Sequence, residues 1–311
     1  MRVIVTGGTG LAGRALCAGL AADGHEVIVL SRRPEGAPKM PEGVRVVGWD
    51  GATARGWGEL ADGAEVVVNL AGESIGGNGL LSILFGRWTK EQQRRIVESR
   101  SNAGRAIVEA VRSAGRKPRL LIQASAAGYY GMRKDEELGE ASEAGDSFLA
   151  RTCLEWEAAS EPVGAYGVRR VVVRSGVVLA VRGGIFPMVV LPFRLFAGGP
   201  LGSGRQWFPW IHIADEVGAI RFLMAKDEAS GAYNLTAPQT VRNSDLARAL
   251  GKVMRRPAFF RVPASVLRLV LGEKAMLVLE GQRPVPRRLL EAGYAFQFPT
   301  IESALEDLLH R

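Results

Sequence analysis

Thr6-Gly7-Gly8-Thr9-Gly10-Leu11-Ala12-Gly13 is the stretch that decides the fold, because its glycines follow a GxxGxxG spacing between an apolar run at residues 2–6 and a helical pattern at 15–22. Glycine at a strand-to-helix turn permits positive φ, close approach of the backbone to a pyrophosphate and tight packing of helix on strand. The helix N-terminus adds unpaired N–H groups and a favourable dipole. The stretch predicts a dinucleotide site with contacts from Gly7, Thr9, Gly10, Leu11 and Gly13.

The second β-rich run, residues 26–30, is followed by Ser31, Arg32 and Arg33. Proteins that prefer NAD usually carry an acid about twenty residues after the glycine loop, where it binds the ribose hydroxyls. No carboxylate stands here, whereas a hydroxyl followed by guanidiniums suits a 2′-phosphate. The sequence predicts NADP(H) as the cofactor, with Ser31 and Arg32 at its phosphate. The alternative is surface arginines beside a cofactor of another type.

Short apolar runs alternate with helical patterns through the first half of the chain. The runs predict six strands, at residues 2–6, 26–30, 44–47, 65–70, 120–124 and 170–173. Such alternation implies right-handed crossovers and a parallel sheet. We predict an α/β fold in which residues 1–178 form a Rossmann-type, doubly wound domain that binds NADP(H). A smaller C-terminal substrate lobe follows at 179–311, interleaved with the first near 210–240.

The composition is that of an ordinary soluble protein, with 47% apolar and 23% charged residues among 311. Cys17 and Cys153 lie far apart, and three histidines form no ligand cluster, so we expect no metal site. The chain enters its first strand without a cleavable apolar segment or a stretch of membrane-spanning length. We therefore expect a cytoplasmic protein without a membrane partner.

The formal net charge of +8 raises the question of nucleic-acid binding. The cations are scattered as short arginine pairs, and neither a basic arm nor an aromatic RNA-recognition motif is present in the sequence. We interpret them as an arginine-rich solvated surface and expect no nucleic-acid partner. The positive electrostatic potential of such a surface also attracts anionic small-molecule substrates.

Further motifs extend over nearly the whole chain. They are Asn69-Leu70-Ala71-Gly72-Glu73, Arg87-Trp88, Ser99-Arg100, Gly128-Tyr129-Tyr130-Gly131, Trp156-Glu157, Arg174-Ser175-Gly176-Val177-Val178-Leu179 and residues 198–212. Together they resemble the extended short-chain dehydrogenase/reductase superfamily. More narrowly, the chain is similar to the NAD(P)-dependent epimerase-like family that includes bacterial proteins labelled cell-division inhibitor or sugar-nucleotide epimerase.

The resemblance implies further cofactor contacts. Asp50 would lie toward the adenine, and Leu70, Ala71 and Gly72 along the ribose and pyrophosphate, while Arg100 and Val177 are additional candidates. For Arg100 the alternative is a charge on the helix surface. Glu73 and Arg87 would lie near the nicotinamide, touching substrate or pairing with each other. Dimers through the long helices, common in the superfamily, make a homodimer one option.

The resemblance fails at the catalytic positions. Superfamily enzymes use a Tyr-x-x-x-Lys pair on one helix face, in which lysine makes the phenol a better proton donor. Alignment on Glu157 puts Leu149 and Cys153 in those places, and alignment on Tyr130-Gly131 puts Ala126 where a serine or threonine is usual. These residues cannot supply the family's proton chemistry.

Four replacements remain, and each has a structural alternative. Ser125 either donates a proton from a shifted register or bonds backbone at a strand end. Tyr129 and Tyr130 either supply a phenol or pack against the cofactor. Cys153 is either a reactive thiol or a small buried apolar residue.

The segment at 202–212 contains a second departure. Phe208 occupies the place of an arginine that contacts the diphosphate in nucleotide-sugar enzymes. Trp207, Phe208 and Trp210 either stack on a flat ligand or belong to the core. His212 and the nearby Asp215 are interpreted as holding a loop.

Two functions follow from the sequence. The first is an NADP(H)-binding oxidoreductase or epimerase-like enzyme that acts on an unidentified small substrate with an unconventional proton donor. The second is a non-catalytic NADP(H)-binding or redox-sensing protein. A nucleotide-sugar epimerase of the usual mechanism would need side chains that this sequence lacks.

Overall fold

The computed structural model describes residues 1–77 and 88–310. The strands are β1 (Arg2–Thr6), β2 (Glu26–Ser31), β3 (Val44–Gly48), β4 (Val66–Asn69), β5 (Leu120–Ala126), β6 (Glu137–Leu138), β7 (Arg169–Ser175), β8 (Val177–Leu179), β9 (Trp207–Phe208), β10 (Trp210–His212), β11 (Gly231–Leu235), β12 (Val241–Arg242) and β13 (Arg283–Pro284). The α-helices are α1 (Leu11–Ala22), α2 (Lys90–Ser113), α3 (Phe148–Ala159), α4 (Phe186–Arg194), α5 (Ile213–Ala225), α6 (Asn243–Met254), α7 (Ala264–Leu271), α8 (Met276–Leu279), α9 (Arg287–Glu291) and α10 (Ile301–His310).

A seven-stranded sheet in the order β11-β7-β5-β4-β1-β2-β3 forms the centre of the molecule, and every pairing in it is parallel. Both faces of a parallel sheet are covered, which explains why β1, β4 and β5 are almost continuous buried apolar runs. The strand order reverses between β1 and β4. Ligands of open α/β sheets bind at the carboxyl ends of the strands at such a reversal.

Helices cover both faces of this sheet. Val3 and Val5 pack in one core with α1 and α5, whereas Ile4 packs in a second core with α2. This division follows from the alternation of side chains along a strand. The predicted α/β class with a doubly wound parallel sheet is confirmed. The seventh strand, β11, was not predicted.

The C-terminal part has a core of its own. Side chains of α4, α6 and α10 form it, including Phe186, Val190, Leu250 and Leu305. In contrast, α5 packs on α1 and β11 pairs with β7, so both belong to the layers of the large sheet. In the described parts of the chain, no helix combines the length and the apolar character needed to cross a bilayer.

Glu216 is a buried carboxyl on α5. Its Oε1 accepts a hydrogen bond from the Ser175 hydroxyl at 2.7 Å, whereas its Oε2 has no hydrogen-bond partner among the described residues. Burial raises the pKa of Glu216 from 4.5 to about 7, against a smaller opposing effect of the Ser175 hydrogen bond. The folded protein therefore holds this proton more tightly than the unfolded chain.

Stability should fall as pH rises through this interval. Below pH 4.5 the carboxyl is protonated in both states, and above about 7 the folded protein must bury a charge. The difference corresponds to about 3 kcal/mol of unfolding free energy. Urea unfolding measured from pH 4.5 to about pH 7 should show this decrease in the free energy of unfolding for the wild type and little decrease for Glu216→Gln. Glu155→Gln, at an exposed position of α3, is the control that should keep the wild-type profile. A Glu216→Gln profile identical to wild type would contradict this origin.

Candidate functional site

The glycine loop lies at the reversal of strand order, between β1 and the N-terminus of α1. Gly10 caps the helix without a side-chain hydrogen bond, and the first turn has no acidic residue. The Gly10 N–H donates to the carbonyl of Gly7 at 2.9 Å, which closes the turn. The N-terminal N–H groups of α1 and the positive end of its dipole are therefore suited to an anion.

Two positions in the loop exclude any side chain. Gly7 has φ of +67°, and a Cβ there would lie 2.5 Å from the carbonyl oxygen of Leu70. A Cβ on Gly13 would lie 2.3 Å from the carbonyl oxygen of Gly7. The loop is thus packed against both α1 and the segment that follows β4.

Ser31, Arg32 and Arg33 lie at the carboxyl end of β2. The Ser31 hydroxyl accepts a hydrogen bond from the backbone N–H of Arg33 at 3.2 Å. The aliphatic stem of Arg32 lies beside Gly51, and both arginines are exposed. Neither guanidinium forms an ion pair within residues 1–77 and 88–310. These two cations are available to an anionic ligand.

The side chain of Asp50 is used within its own loop. Its Oδ1 accepts from the N–H groups of Ala52 and Thr53 at 2.8 Å each, and its Oδ2 accepts from the Thr53 hydroxyl. Desolvation alone would raise the pKa of Asp50, but these hydrogen bonds together with the charge of Arg55 outweigh it and lower the pKa. Asp50 thus shapes the loop after β3, and its predicted contact with adenine stays a prediction.

A buried polar chain crosses the sheet beneath this site. The Thr6 hydroxyl donates to Oδ1 of Asn69 at 2.6 Å, and Nδ2 of Asn69 donates to Oε1 of Gln123 at 2.9 Å. The Ala71 N–H donates to the Thr6 hydroxyl oxygen at 3.3 Å. This chain joins β1, β4 and β5 to the predicted cofactor segment at Leu70, Ala71 and Gly72. Its signal in the sequence is the set of polar residues that interrupt the apolar strands, and no predicted site residue came from that signal.

Arg100 is buried on α2, which excludes its interpretation as a surface charge. Its Nη1 donates to the carbonyls of Glu73 and Ile96, and its Cζ lies 4.8 Å from the centre of the Trp156 ring. Burial lowers the pKa of Arg100 to about 10, so the guanidinium stays charged at neutral pH. A Cβ on Gly72 would lie 2.9 Å from its Cζ. Arg100 thus puts a positive charge directly behind the segment after β4.

Val177 lies on β8, which pairs with β10. Its N–H donates to the carbonyl of Pro209 at 2.7 Å, so this amide is already used within the protein. The side chain is half-buried and packs against the C-terminal core. A cofactor contact from Val177 would have to come from its side chain or carbonyl, and it stays a prediction.

Ser125 belongs to a buried ion-pair cluster rather than standing free. Its hydroxyl donates to Oε1 of Glu157 at 2.6 Å. Glu157 in turn accepts two hydrogen bonds from Arg174, from Nε at 2.9 Å and from Nη2 at 3.0 Å. The serine proton is therefore held by a carboxylate, and Arg174 is fixed in orientation by its fork of bonds.

The two neighbouring tyrosines differ in their environment. The fully buried Tyr130 donates its hydroxyl proton to Oδ1 of Asn234 at 2.7 Å. Burial raises the pKa of Tyr130, although Arg174 and Asn234 lower it. Tyr129 is half-buried, and Cζ of Arg174 lies 3.4 Å from the centre of its ring. Its hydroxyl donates to no residue of the described structure.

Cys153 is buried on α3, where its Sγ lies 3.8 Å from the carbonyl oxygen of Ala126. Burial and the Glu157 carboxylate raise the pKa of the thiol to about 11, against weaker opposing effects of Ser125, Arg100 and Ala126. The group is therefore a thiol at neutral pH. This geometry favours the interpretation as a small buried residue over that as a nucleophile.

The aromatic segment divides between surface and core. Trp210 is buried in the C-terminal core, whereas the ring centre of Trp207 lies 4.4 Å from Cζ of Arg242 and 5.0 Å from Cζ of Arg283. Nε1 of Trp207 donates to Asp135 at 3.0 Å. His212 caps α5, because its Nδ1 accepts the N–H of Ala214 at 3.1 Å. These contacts support structural roles.

Lys274 reaches the segment after β4 from the C-terminal part of the chain. It is buried, and its Nζ donates to the carbonyl of Gly76 at 2.9 Å. No pattern in the sequence predicted this contact. Glu73 forms an ion pair with Arg95 at 3.3 Å, while Arg87 lies outside the described residues. Within the described ranges, no cluster of three potential metal-binding side chains occurs.

A glycine loop at a helix N-terminus, placed at the reversal of a doubly wound parallel sheet, defines a dinucleotide-binding protein of the Rossmann class. The chain belongs to the NAD dependent epimerase/dehydratase family, whose model matches residues 3–236. A domain of unknown function (DUF1731) matches residues 262–308. The resemblance to the NAD(P)-dependent epimerase-like family is thereby confirmed.

Curated relatives match over almost the full chain. The mouse epimerase family protein SDR39U1 is 39% identical over 99% of this chain and 100% of its own length. The epimerase family protein YfhF of Bacillus subtilis is 36% identical over 99% of this chain and 98% of its own.

Solved structures agree with the fold. The human epimerase family protein SDR39U1 (isoform 2), crystallised with NADPH, has a TM-score of 0.86 and 36% identity, covering 100% of this chain and 99% of its own. A nucleoside-diphosphate sugar epimerase from Corynebacterium glutamicum has a TM-score of 0.77 and 33% identity, covering 99% of this chain and 58% of its own.

Proposed function

We propose that this protein is an NADP(H)-dependent oxidoreductase or epimerase-like enzyme that acts on a small substrate with Tyr129 as its proton donor. The observation that carries the cofactor assignment is the pair of exposed guanidiniums of Arg32 and Arg33 at the end of β2, which form no ion pair with any described residue. A nicotinamide dinucleotide with a 2′-phosphate has its extra charge at this place in a Rossmann site. The human relative that was crystallised with NADPH supports the same choice.

The other parts of the site fit the same ligand. The N-terminal N–H groups of α1 suit a pyrophosphate, and the close backbone packing at Gly7 and Gly13 fixes the shape of the loop that presents them. Arg100 adds a fixed positive charge behind Gly72, on the path toward β5. The nicotinamide end would then lie over β4 and β5, near the turn of residues 127–130.

The proton donor follows by comparing the four predicted candidates. Ser125 donates to Glu157, Tyr130 donates to Asn234, and the Cys153 thiol is buried against Ala126. Only the Tyr129 hydroxyl, of these four groups, has no acceptor among the described residues. The adjacent Arg174 guanidinium, whose Cζ lies 3.4 Å from the ring centre, packs on the Tyr129 ring and holds the phenol in place. Bound NADPH would supply hydride to a carbonyl carbon, and Tyr129 would protonate the oxygen.

Tyr129→Phe should lower turnover by about 10²- to 10⁴-fold while changing the NADPH dissociation constant little. The substitution keeps the ring against Arg174 and removes only the hydroxyl. The measurement is the steady oxidation of NADPH with a panel of aldehydes and ketones. Tyr130→Phe is the matched control, because loss of its buried hydrogen bond to Asn234 should reduce stability more than turnover.

Two results would contradict the proposal in different ways. Equal turnover of Tyr129→Phe and wild type would remove Tyr129 as the donor and leave the cofactor assignment intact. Tight NADPH binding without turnover of any carbonyl would instead identify a non-catalytic or redox-sensing protein.

A further inference from the structure

Four large apolar side chains lie exposed next to one another in the C-terminal part. Leu195, Phe196, Phe259 and Phe260 are 67%, 52%, 72% and 47% exposed. The segments that carry them are joined, because the N–H of Phe260 donates to the carbonyl of Gly198 at 3.1 Å. The ring centres of Phe259 and Phe260 lie 4.5 Å apart. We call these four residues the aromatic surface.

Cations surround the aromatic surface. The Cζ of Arg256 lies 4.0 Å from the centre of the Phe196 ring. A groove of about 810 Å³ begins beside it, with Arg194, Lys252, Arg255 and Arg256 on its walls together with Glu302, Glu306 and His310. Residues 251–271 contain Lys252, Arg255, Arg256, Arg261 and Arg268 and no acidic residue. The surface therefore combines apolar side chains with an excess of positive charge.

The backbone at Phe196 adds an independent observation. Phe196 has φ of +59°, in the left-handed region that a bulky side chain rarely adopts. It stands just after α4, at a position where glycine is the usual residue. The C-terminal turn of α4 holds this backbone in place, because the N–H of Ala197 donates to the carbonyl of Pro192 at 2.8 Å, and it leaves the Phe196 ring half exposed beside Leu195. Adjacent exposed apolar side chains mark a surface that makes contacts outside the chain.

We propose that the aromatic surface binds the anionic headgroup layer of a lipid membrane. Leucine and phenylalanine would enter the boundary between headgroups and acyl chains, and the surrounding arginines would bind lipid phosphates. A second copy of the chain fits less well, because pairing this surface with itself would oppose two clusters of like charge. The sequence expectation of no membrane partner rested on the lack of a spanning segment, and a peripheral contact needs none.

The test is co-sedimentation of the full-length protein with vesicles of phosphatidylcholine alone and of phosphatidylcholine mixed with phosphatidylglycerol. We expect binding to the anionic vesicles and at least tenfold weaker binding to the neutral ones, with release at high salt. The double variant Leu195→Ser, Phe259→Ser should weaken binding at least tenfold. Arg194→Gln with Arg256→Gln should also weaken it and should flatten its dependence on salt.

Leu154→Ser is the matched control, since Leu154 is 41% exposed on α3, away from the aromatic surface. It should bind vesicles as the wild type does, and all variants should keep the wild-type affinity for NADPH. Absence of wild-type binding to anionic vesicles would overturn the proposal. The proposal would also be overturned if the protein bound polyglutamate, as a model of an acidic protein partner, but not anionic vesicles. A dimer in size-exclusion chromatography that the double variant Leu195→Ser, Phe259→Ser dissociates would overturn it as well, because the aromatic surface would then be an interface between two copies of the chain.

Discussion

Replacing Gly13 by Ala is expected to abolish dinucleotide binding and to lower the free energy of unfolding by about 3 kcal/mol or more. The new methyl carbon would lie 2.3 Å from the carbonyl oxygen of Gly7 and 2.7 Å from Cα of Gly8. Both are backbone atoms of the turn, so the clash is relieved only by moving the glycine loop away from α1. Denaturant unfolding and a calorimetric titration with NADPH measure the two effects.

Gly19→Ala in the same helix is the matched control. There the nearest atom to an added Cβ is Nη1 of Arg221 at 3.5 Å, at the end of a flexible side chain. Alanine is the better helix former, so this variant should be more stable by up to about 1 kcal/mol and should bind NADPH normally. If Gly13→Ala bound NADPH as tightly as wild type, the close packing of the loop would not be what forms the site.

Arg32→Ala should weaken NADPH binding by about 1.5–3 kcal/mol, or roughly 10- to 150-fold, because a charge-assisted bond to the 2′-phosphate is lost. NADH has no phosphate at this position, so its affinity should hardly change. The measurement is a calorimetric titration of the variant with each cofactor. A loss of affinity for NADPH that spares the affinity for NADH is the result expected from a contact with the 2′-phosphate.

Arg248→Ala controls for the overall positive field, because Arg248 is an exposed arginine on α6 in the C-terminal part. It removes the same charge and should leave both affinities unchanged. Unchanged NADPH affinity in Arg32→Ala would contradict the 2′-phosphate assignment. An equal loss of affinity for NADPH and for NADH would mean that Arg32 contacts a part of the cofactor that both molecules share.

The sheet was largely predictable, because parallel strands buried on both faces leave uninterrupted apolar runs in the sequence. β11 was the exception. Its sequence, Gly-Ala-Tyr-Asn-Leu, is not such a run, and Asn234 within it bonds the carbonyls of Leu138 and Val285. A polar residue satisfied by distant backbone groups leaves no local periodicity from which a strand can be predicted.

The cofactor-binding half of the site was predictable from the sequence, whereas the proton donor was not. The cofactor half depends on contiguous residues, such as the glycine loop and the Ser31-Arg32-Arg33 turn, so spacing and residue type were sufficient to identify it. The proton donor depends on which hydroxyl is already bonded, and the partners of Ser125 and Tyr130 lie 32 and 104 residues away in sequence. Arg100 likewise became a buried cation only through its packing against Trp156 and the segment after β4.

The most direct test of the account is a calorimetric titration of the wild-type protein with NADPH and with NADH under identical conditions. The exposed guanidiniums of Arg32 and Arg33, which have no ion-pair partner in the described part of the chain, predict that NADPH binds at least tenfold more tightly. Equal affinities, or tighter binding of NADH, would contradict the central claim that this site is built for the 2′-phosphate.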